Sequence, residues 1–186
     1  RLRLWDTMTL PGARPLELRR EGSWYIAGTA VHPAERLVVA VTQSGETADT
    51  IAPTRWARER GCPIVAVTNT VGSAITREAD AVMFLQAGPE IAVAASKTFV
   101  TQVTTLVVLA AAIAKARDAM GLEQEQELGH ALRALPDAAA RTLGLNPDIA
   151  SLARRYVNSR GFMFIGRSYG YPAALEQGLL QVGIVA

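Results

Sequence analysis

Cysteine and histidine are scarce in this chain of 186 residues, which contains Cys62 as its single cysteine and His32 and His130 as its two histidines. One cysteine excludes a framework of internal disulfides and a Cys-x-x-Cys metal site. It also fits a protein of the reducing cytoplasm, which is where we expect this chain to function. Two histidines are too few for a histidine-rich metal centre, so we expect no metal ion.

The chain also lacks a large excess of positive or negative charge, because it has 19 basic and 17 acidic side chains. A formal net charge of +2 gives no strong attraction to nucleic acid or to a membrane surface, and we predict neither partner. The first 15 residues do not form a secretory signal, since Asp6 and Pro11 interrupt their apolar stretch. The longest apolar run, LVVLAAAIA at 106–114, is too short to cross a bilayer and favours a buried helix.

Short apolar segments alternate with helical patterns from residue 37 onward. The apolar segments are continuous, which is typical of strands buried on both faces of a parallel sheet. Alternating strands and helices predict an α/β fold with a parallel sheet flanked by helices. The predicted strands are LVVAV (37–41), PIVAVTN (63–69), AVMFL (81–85) and GFMFIG (161–166), and the predicted helices are 46–61, 73–80, about 90–119, a polar helical region after Gly121, and 147–159.

Two prolines and one very apolar helix qualify this prediction. Pro53 lies inside the first helix and should kink it or delay its start. Pro89 is suited to the first turn of the helix at 90–119. That helix is apolar on nearly every face in its middle, so we expect its own sheet and a partner subunit to cover it.

A polar turn, Thr42 to Thr47, follows the first of these predicted strands and precedes a helix. Ligands of open parallel sheets bind beyond the carboxyl ends of the strands. Gly45 permits a positive φ or a close approach to a ligand, and the helix start presents free N–H groups and a positive dipole end. Simple helix capping would explain one hydroxyl group here, whereas the turn contains three and the amide of Gln43. Capping and phosphate binding are therefore both compatible with these residues.

Four collinear stretches of the chain follow a known pattern: QSGETADT (43–50), VTNTVGSAITREAD (67–80), AGPEIAVAASKTFVTQVTTL (87–106) and FIGRSYGYPAALEQGL (164–179). Together they resemble the sugar isomerase (SIS) domain family, and most of all the isomerase domains of the glucosamine–fructose-6-phosphate aminotransferase family. The resemblance implies a three-layer, doubly wound parallel sheet of the flavodoxin-like SIS type. It also implies one SIS unit at 1–120 that is incomplete or diverged at its amino-terminal side, and a helical linker with the start of a second unit at 121–186.

The resemblance also implies site residues, though no catalytic residue can be assigned. It implies that a hexose phosphate of the fructose-6-phosphate or glucosamine-6-phosphate type binds without any organic cofactor, and that the chain forms a homodimer. The implied phosphate-binding residues are Thr42, Gln43, Ser44, Gly45 and Thr47, the implied sugar-binding residues are Val93, Ala94 and Ala95, and the possible supporting residues are Glu90, Lys97 and Glu176.

Isomerisation between an aldose and a ketose needs a group that moves a proton between adjacent carbons. Val182 and Gly183 occupy the positions at which the aminotransferase family that this chain resembles has a lysine and a glutamate. One explanation is a chain that is a fragment or lacks loops, in which case we expect a phosphosugar isomerase or an amino-sugar-phosphate deaminase. The other is a diverged member that binds a sugar phosphate without isomerising it, as a regulatory SIS protein would.

Overall fold

The computed structural model describes residues 17–21, 24–28, 37–91, 95–168 and 170–176. The chain divides into two compact units, the first ending at Thr105 and the second beginning at Leu106. This boundary reflects contacts and lies earlier than the predicted boundary between 120 and 121, which follows family motifs and stays a prediction.

The first unit contains an antiparallel pair of strands and a parallel three-stranded sheet. In the antiparallel pair, Glu21 lies opposite Trp24, so two residues connect the strands. The parallel sheet has the order β3-β4-β5, and the predicted α/β class with a parallel sheet flanked by helices is confirmed. The strands are β1 (Glu17–Glu21), β2 (Trp24–Gly28), β3 (Val38–Val41), β4 (Ile64–Thr68) and β5 (Ala81–Phe84).

Two helices connect the parallel strands, α1 (Ala48–Glu59) between β3 and β4 and α2 (Ala74–Glu78) between β4 and β5. Right-handed crossovers in the order β3-β4-β5 place both helices on one face of the sheet, where they contact each other and the strands. Both helices were predicted, although α1 begins later than expected and continues past Pro53. The loops that follow β3, β4 and β5 consequently meet at the carboxyl edge of the sheet.

The core of the first unit is built from small and β-branched side chains. Ala40 of β3, Ala66 of β4 and Ile75 of α2 form its centre, and the side chains of Ile51 and Val82 pack against it. Ile75 is completely buried, which contributes about 1.5–3 kcal/mol to folding relative to an exposed side chain. This packing fixes the start of α2 beneath the loop that follows β3.

The long apolar helix begins later than predicted and is less buried than predicted. Helix α3 spans Ser96–Ala116, so Pro89 lies in the preceding loop and not in a first helical turn. Thr98 is its buried residue, while Val100 and Val103 are 56% and 47% exposed. The expected cover by the chain's own sheet is therefore wrong for this part of the helix. By length and composition alone α3 could span a membrane, a test that core helices of globular proteins also pass.

The regular secondary structure described in the second unit is helical, with α4 (Leu122–Gly144), α5 (Asn146–Arg155) and a further helical segment at 170–176. The predicted strand at 161–166 is wrong, because these residues form no strand and Met163 and Ile165 are each 85% exposed. A strand requires a neighbouring strand for its hydrogen bonds, and the described part of this unit contains none.

Candidate functional site

The turn from Thr42 to Thr47 lies at the carboxyl edge of the parallel sheet, as predicted. The N–H group of Thr42 extends the sheet pairing by donating to the carbonyl oxygen of Val67 at 3.0 Å. The Thr42 side chain is buried, and its Oγ1 accepts a hydrogen bond of 3.2 Å from the N–H group of Gly45. One of the predicted phosphate-binding hydroxyls therefore shapes the turn from inside.

Two hydroxyl groups, those of Ser44 and Thr47, lie side by side at the outer side of this turn. Ser44 Oγ is 3.5 Å from Thr47 Oγ1 and accepts a hydrogen bond of 3.2 Å from the N–H group of Glu46. The side chain of Gln43 is half-buried, and its amide makes no hydrogen bond within the described ranges. Three of the predicted phosphate ligands thus have hydrogen-bonding capacity left over.

Helix α1 begins directly behind these hydroxyls without a side-chain cap. Thr47 occupies the N-cap position, yet its hydroxyl makes no capping hydrogen bond. The N–H groups of Ala48 and Asp49 have no acceptor in the part of the chain that the structure describes. Unpaired N–H groups at a helix start carry partial positive charge, so they favour an anion. The simpler alternative, in which the Thr47 hydroxyl caps α1, is therefore not observed.

Gly45 has the positive φ that its position in the sequence predicted, and its close neighbour is another part of the protein. Its φ is +71°, and an added Cβ atom would lie 2.1 Å from Ser73 Oγ at the start of α2. Its carbonyl oxygen also accepts a hydrogen bond of 3.0 Å from the N–H group of Ile75. The glycine therefore lets the turn lie directly against α2.

Glu46 is a structural residue of this site that the sequence analysis missed. Its carboxylate accepts a hydrogen bond of 2.7 Å from the N–H group of Ala74, in the first turn of α2. Ser73, the predicted cap, occupies the N-cap position but donates its hydroxyl to the carbonyl oxygen of Thr70 instead. An acidic side chain within the turn is thereby used to stabilise a neighbouring helix start.

An ion pair on the outer surface joins the two helices that border the turn. Arg55 Nε of α1 lies 2.7 Å from Glu78 Oε1 of α2, and Arg58 lies 3.5 Å from the other carboxylate oxygen. The hydrogen bond from Arg55 is the largest cause of a lowered pKa of Glu78, and the charges of both arginines act in the same direction. The arginine side chains are more than half exposed, so solvent weakens this pair.

The predicted sugar-binding residues are only partly within the described ranges, because Val93 and Ala94 lie outside them. Ala95 is half-buried with a φ of +46°, and its carbonyl oxygen accepts hydrogen bonds from the first turn of α3. Their role in binding a sugar stays a prediction.

Glu90 and Lys97 both have partners within the protein. The Glu90 carboxylate accepts hydrogen bonds from the N–H group and the hydroxyl of Thr98, at 3.2 and 3.1 Å. Lys97 Nζ lies 4.0 Å from Glu90 Oε1 and donates to the carbonyl oxygen of Pro89. Glu90 thus supports the start of α3, while its predicted role in supporting the ligand site stays a prediction. Glu176 is a half-buried residue of the helical segment in the second unit.

No group of three metal-binding side chains occurs among the described residues. The chemistry available at the turn is instead that of uncharged donors: two hydroxyls, one amide side chain and two N–H groups that have no acceptor among the described residues. Such a set can hold a phosphate ester without a lysine or arginine.

Part of the chain matches a known protein family. Residues 30–112 match the SIS domain model. The chain is 50% identical over 147 residues to glutamine–fructose-6-phosphate aminotransferase [isomerizing] of Halobacterium salinarum, covering 79% of this chain and 24% of that protein. The enzyme of the same name from Thermotoga maritima is 42% identical over 143 residues, covering 77% of this chain and 23% of its own length.

A solved structure gives the same result at the level of the fold. The C-terminal domain of glucosamine–fructose-6-phosphate aminotransferase from Francisella tularensis superposes with a TM-score of 0.75 at 30% identity, covering 78% of this chain and 41% of that one. The chain spans about a quarter of the length of the curated relatives named above. Through residues 30–112, the chain belongs to the SIS domain family.

Proposed function

We propose that this chain binds the phosphate group of a hexose 6-phosphate in the Thr42–Thr47 turn and serves a sugar-phosphate isomerase or amino-sugar-phosphate reaction. The observation that carries the proposal is the set of hydrogen-bond donors beside α1. The hydroxyls of Ser44 and Thr47 lie 3.5 Å apart and can share only one hydrogen bond with each other, and the first N–H groups of the helix have no acceptor among the described residues. The relatives are named glutamine–fructose-6-phosphate aminotransferase [isomerizing], and this name supports the substrate class.

A doubly charged phosphate gains most from this arrangement. Hydrogen bonds to a charged group contribute about 1.5–3 kcal/mol each, roughly twice the value of neutral pairs. The helix start adds an attraction of about 0.3–1 kcal/mol for a negative charge. Glu46, which would repel an anion, has its carboxylate bound to the start of α2. The turn therefore favours the phosphate over the hydroxyl groups of the sugar.

The reaction itself is proposed only at the level of its class. Moving a proton between adjacent carbons requires a base, and no residue of the chain is assigned that role. Isomerase and deaminase activity both fit a bound hexose phosphate, with the backbone at Val93 and the small side chains of Ala94 and Ala95 lining the sugar side. A cytoplasmic homodimer with contacts through α3 completes the proposal, because α3 carries exposed valines that a second subunit could cover.

A second candidate is a SIS protein that binds a sugar phosphate without converting it. Val182 and Gly183 favour it, since they replace the lysine and glutamate of the family pattern. Incubation with fructose 6-phosphate, with and without an ammonia donor, separates the two candidates. Formation of an aldose phosphate or an amino sugar supports the enzyme, and binding without any product supports the regulatory protein.

Phosphate binding is tested by calorimetric titration and thermal unfolding. Fructose 6-phosphate at 100 times its dissociation constant should stabilise the chain by about 2.7 kcal/mol, whereas unphosphorylated fructose should not. The double variant Ser44→Ala/Thr47→Ala should weaken binding at least about tenfold, because it removes two charge-assisted hydrogen bonds. The matched control is Thr142→Ala/Ser151→Ala, which removes two exposed hydroxyls of the second unit. Equal stabilisation by fructose, or unchanged affinity of the double variant, contradicts the proposal.

A further inference from the structure

Asn69, the first residue after β4, connects the loops that follow all three parallel strands. Its backbone N–H group donates to the carbonyl oxygen of Gln43 in the phosphate turn, at 3.1 Å. Its side chain faces the other way along the edge, where Nδ2 donates to the carbonyl oxygen of Gly88 at 2.7 Å. Oδ1 accepts from the N–H group of Ala87 at 3.0 Å. One residue thus contacts the turn after β3 and the loop after β5.

The loop after β5 has a conformation that requires such support. Gln86 and Gly88 have φ values of +55° and +67°, in the left-handed region that non-glycine residues seldom adopt. The Asn69 amide accepts from Ala87 and donates to the next residue of this loop, Gly88, which only one orientation of the amide allows. The side chain of Asn69 therefore fixes this loop, while its backbone fixes the phosphate turn.

The far end of the same connection is fixed independently. The carboxylate of Glu90 accepts hydrogen bonds from both the N–H group and the hydroxyl of Thr98, a residue that is 1% exposed. The start of α3 consequently has its own support, and the amide of Asn69 supports the end next to β5. Replacing the Asn69 side chain should release that end without affecting the contacts of Glu90.

We propose that Asn69 is a positioning residue that sets the loop after β5 relative to the phosphate turn, and thereby the fit of the sugar. The inference rests on the proposed function. Adjacent strands lie about 4.8 Å apart, so a hexose whose phosphate occupies the turn after β3 reaches over the loops after β4 and β5. Inorganic phosphate, which is smaller, contacts the turn alone. The side chain of Asn69 therefore affects the sugar phosphate and leaves the free anion unaffected.

The test compares the two ligands in Asn69→Asp and Asn69→Ala. The aspartate variant keeps the acceptor for Ala87 but places a second carboxylate oxygen against the Gly88 carbonyl, and the alanine variant removes both contacts. The dissociation constant for fructose 6-phosphate should rise about tenfold in each variant, while that for inorganic phosphate stays within about twofold. Asn158→Asp, at an exposed position of the second unit, is the matched control and should change neither constant.

Hydrogen exchange of the ligand-free protein provides a readout that does not depend on the proposed function. The Ala87 amide should exchange faster in Asn69→Ala. The Thr98 amide donates its hydrogen bond to Glu90 and should keep its exchange rate. An unchanged rate at Ala87, an equal loss of affinity for both ligands, or unchanged affinity for fructose 6-phosphate overturns the role of Asn69. A wild-type chain that binds neither ligand overturns the proposed function, and the inference with it.

Discussion

Replacement of Gly45 by alanine tests how closely the Thr42–Thr47 turn lies against α2. The left-handed backbone at φ +71° costs an alanine about 1–2 kcal/mol. The new Cβ atom would lie 2.1 Å from Ser73 Oγ and 2.6 Å from Ser73 Cβ, so the buried Ser73 must move and lose its hydrogen bond to Thr70. Overpacking of this kind adds about 1–3 kcal/mol. We expect Gly45→Ala to reduce the free energy of unfolding by about 3 kcal/mol.

Gly72 offers a matched control for this prediction. Its φ is +74°, and nothing lies within 4 Å of an added Cβ atom, so Gly72→Ala pays the conformational cost alone. Urea unfolding followed by circular dichroism measures both variants. The double variant Gly45→Ala/Ser73→Gly should recover part of the difference, because it removes the two closest atoms. Similar losses for Gly45→Ala and Gly72→Ala, within about 0.5 kcal/mol, would refute the close approach of the turn to α2.

Two further predictions concern charged side chains of the same unit. Glu46→Ala should lower the free energy of unfolding by about 1 kcal/mol, because it removes the acceptor for the first N–H group of α2. Glu46→Gln keeps an acceptor and should lower the free energy of unfolding less. Equal losses of the two variants in urea unfolding would contradict the capping role. Arg55 lowers the pKa of Glu78 in the folded state, so the pair stabilises the fold above pH 4.5 and the effect is lost as the pH falls through the lowered pKa. Glu78→Gln should therefore flatten the acid side of the stability profile, by up to about 1 kcal/mol at low salt, and an unchanged profile would contradict it.

The position of the site could be predicted from the sequence because it follows from local patterns. A continuous apolar run ends at Val41, and the glycine at position 45 requires a positive φ that the structure confirms. The parallel sheet follows from the alternation of strands and helices, since parallel strands need helical crossovers. These features depend on residues that are close together in the chain, so they can be predicted from the sequence.

The supports of the site could not be predicted, because they depend on which loops meet at the sheet edge. Glu46 contacts the start of α2, and Asn69 contacts the loop after β5, across 28 and 18–19 residues of sequence. No spacing rule connects such pairs before the register of the strands is known. The strand expected at 161–166 failed for a related reason, since apolar composition does not show whether a neighbouring strand exists.

The hydrogen bond between Thr42 and Gly45 has a consequence for how quickly the turn could capture an anion. The turn has its shape before any ligand arrives, because folding has already ordered its backbone through internal contacts. Little conformational freedom then remains to be lost on association. The encounter rate should accordingly depend on diffusion and electrostatic attraction, and variants that loosen the turn should reduce the fraction of molecules ready to bind.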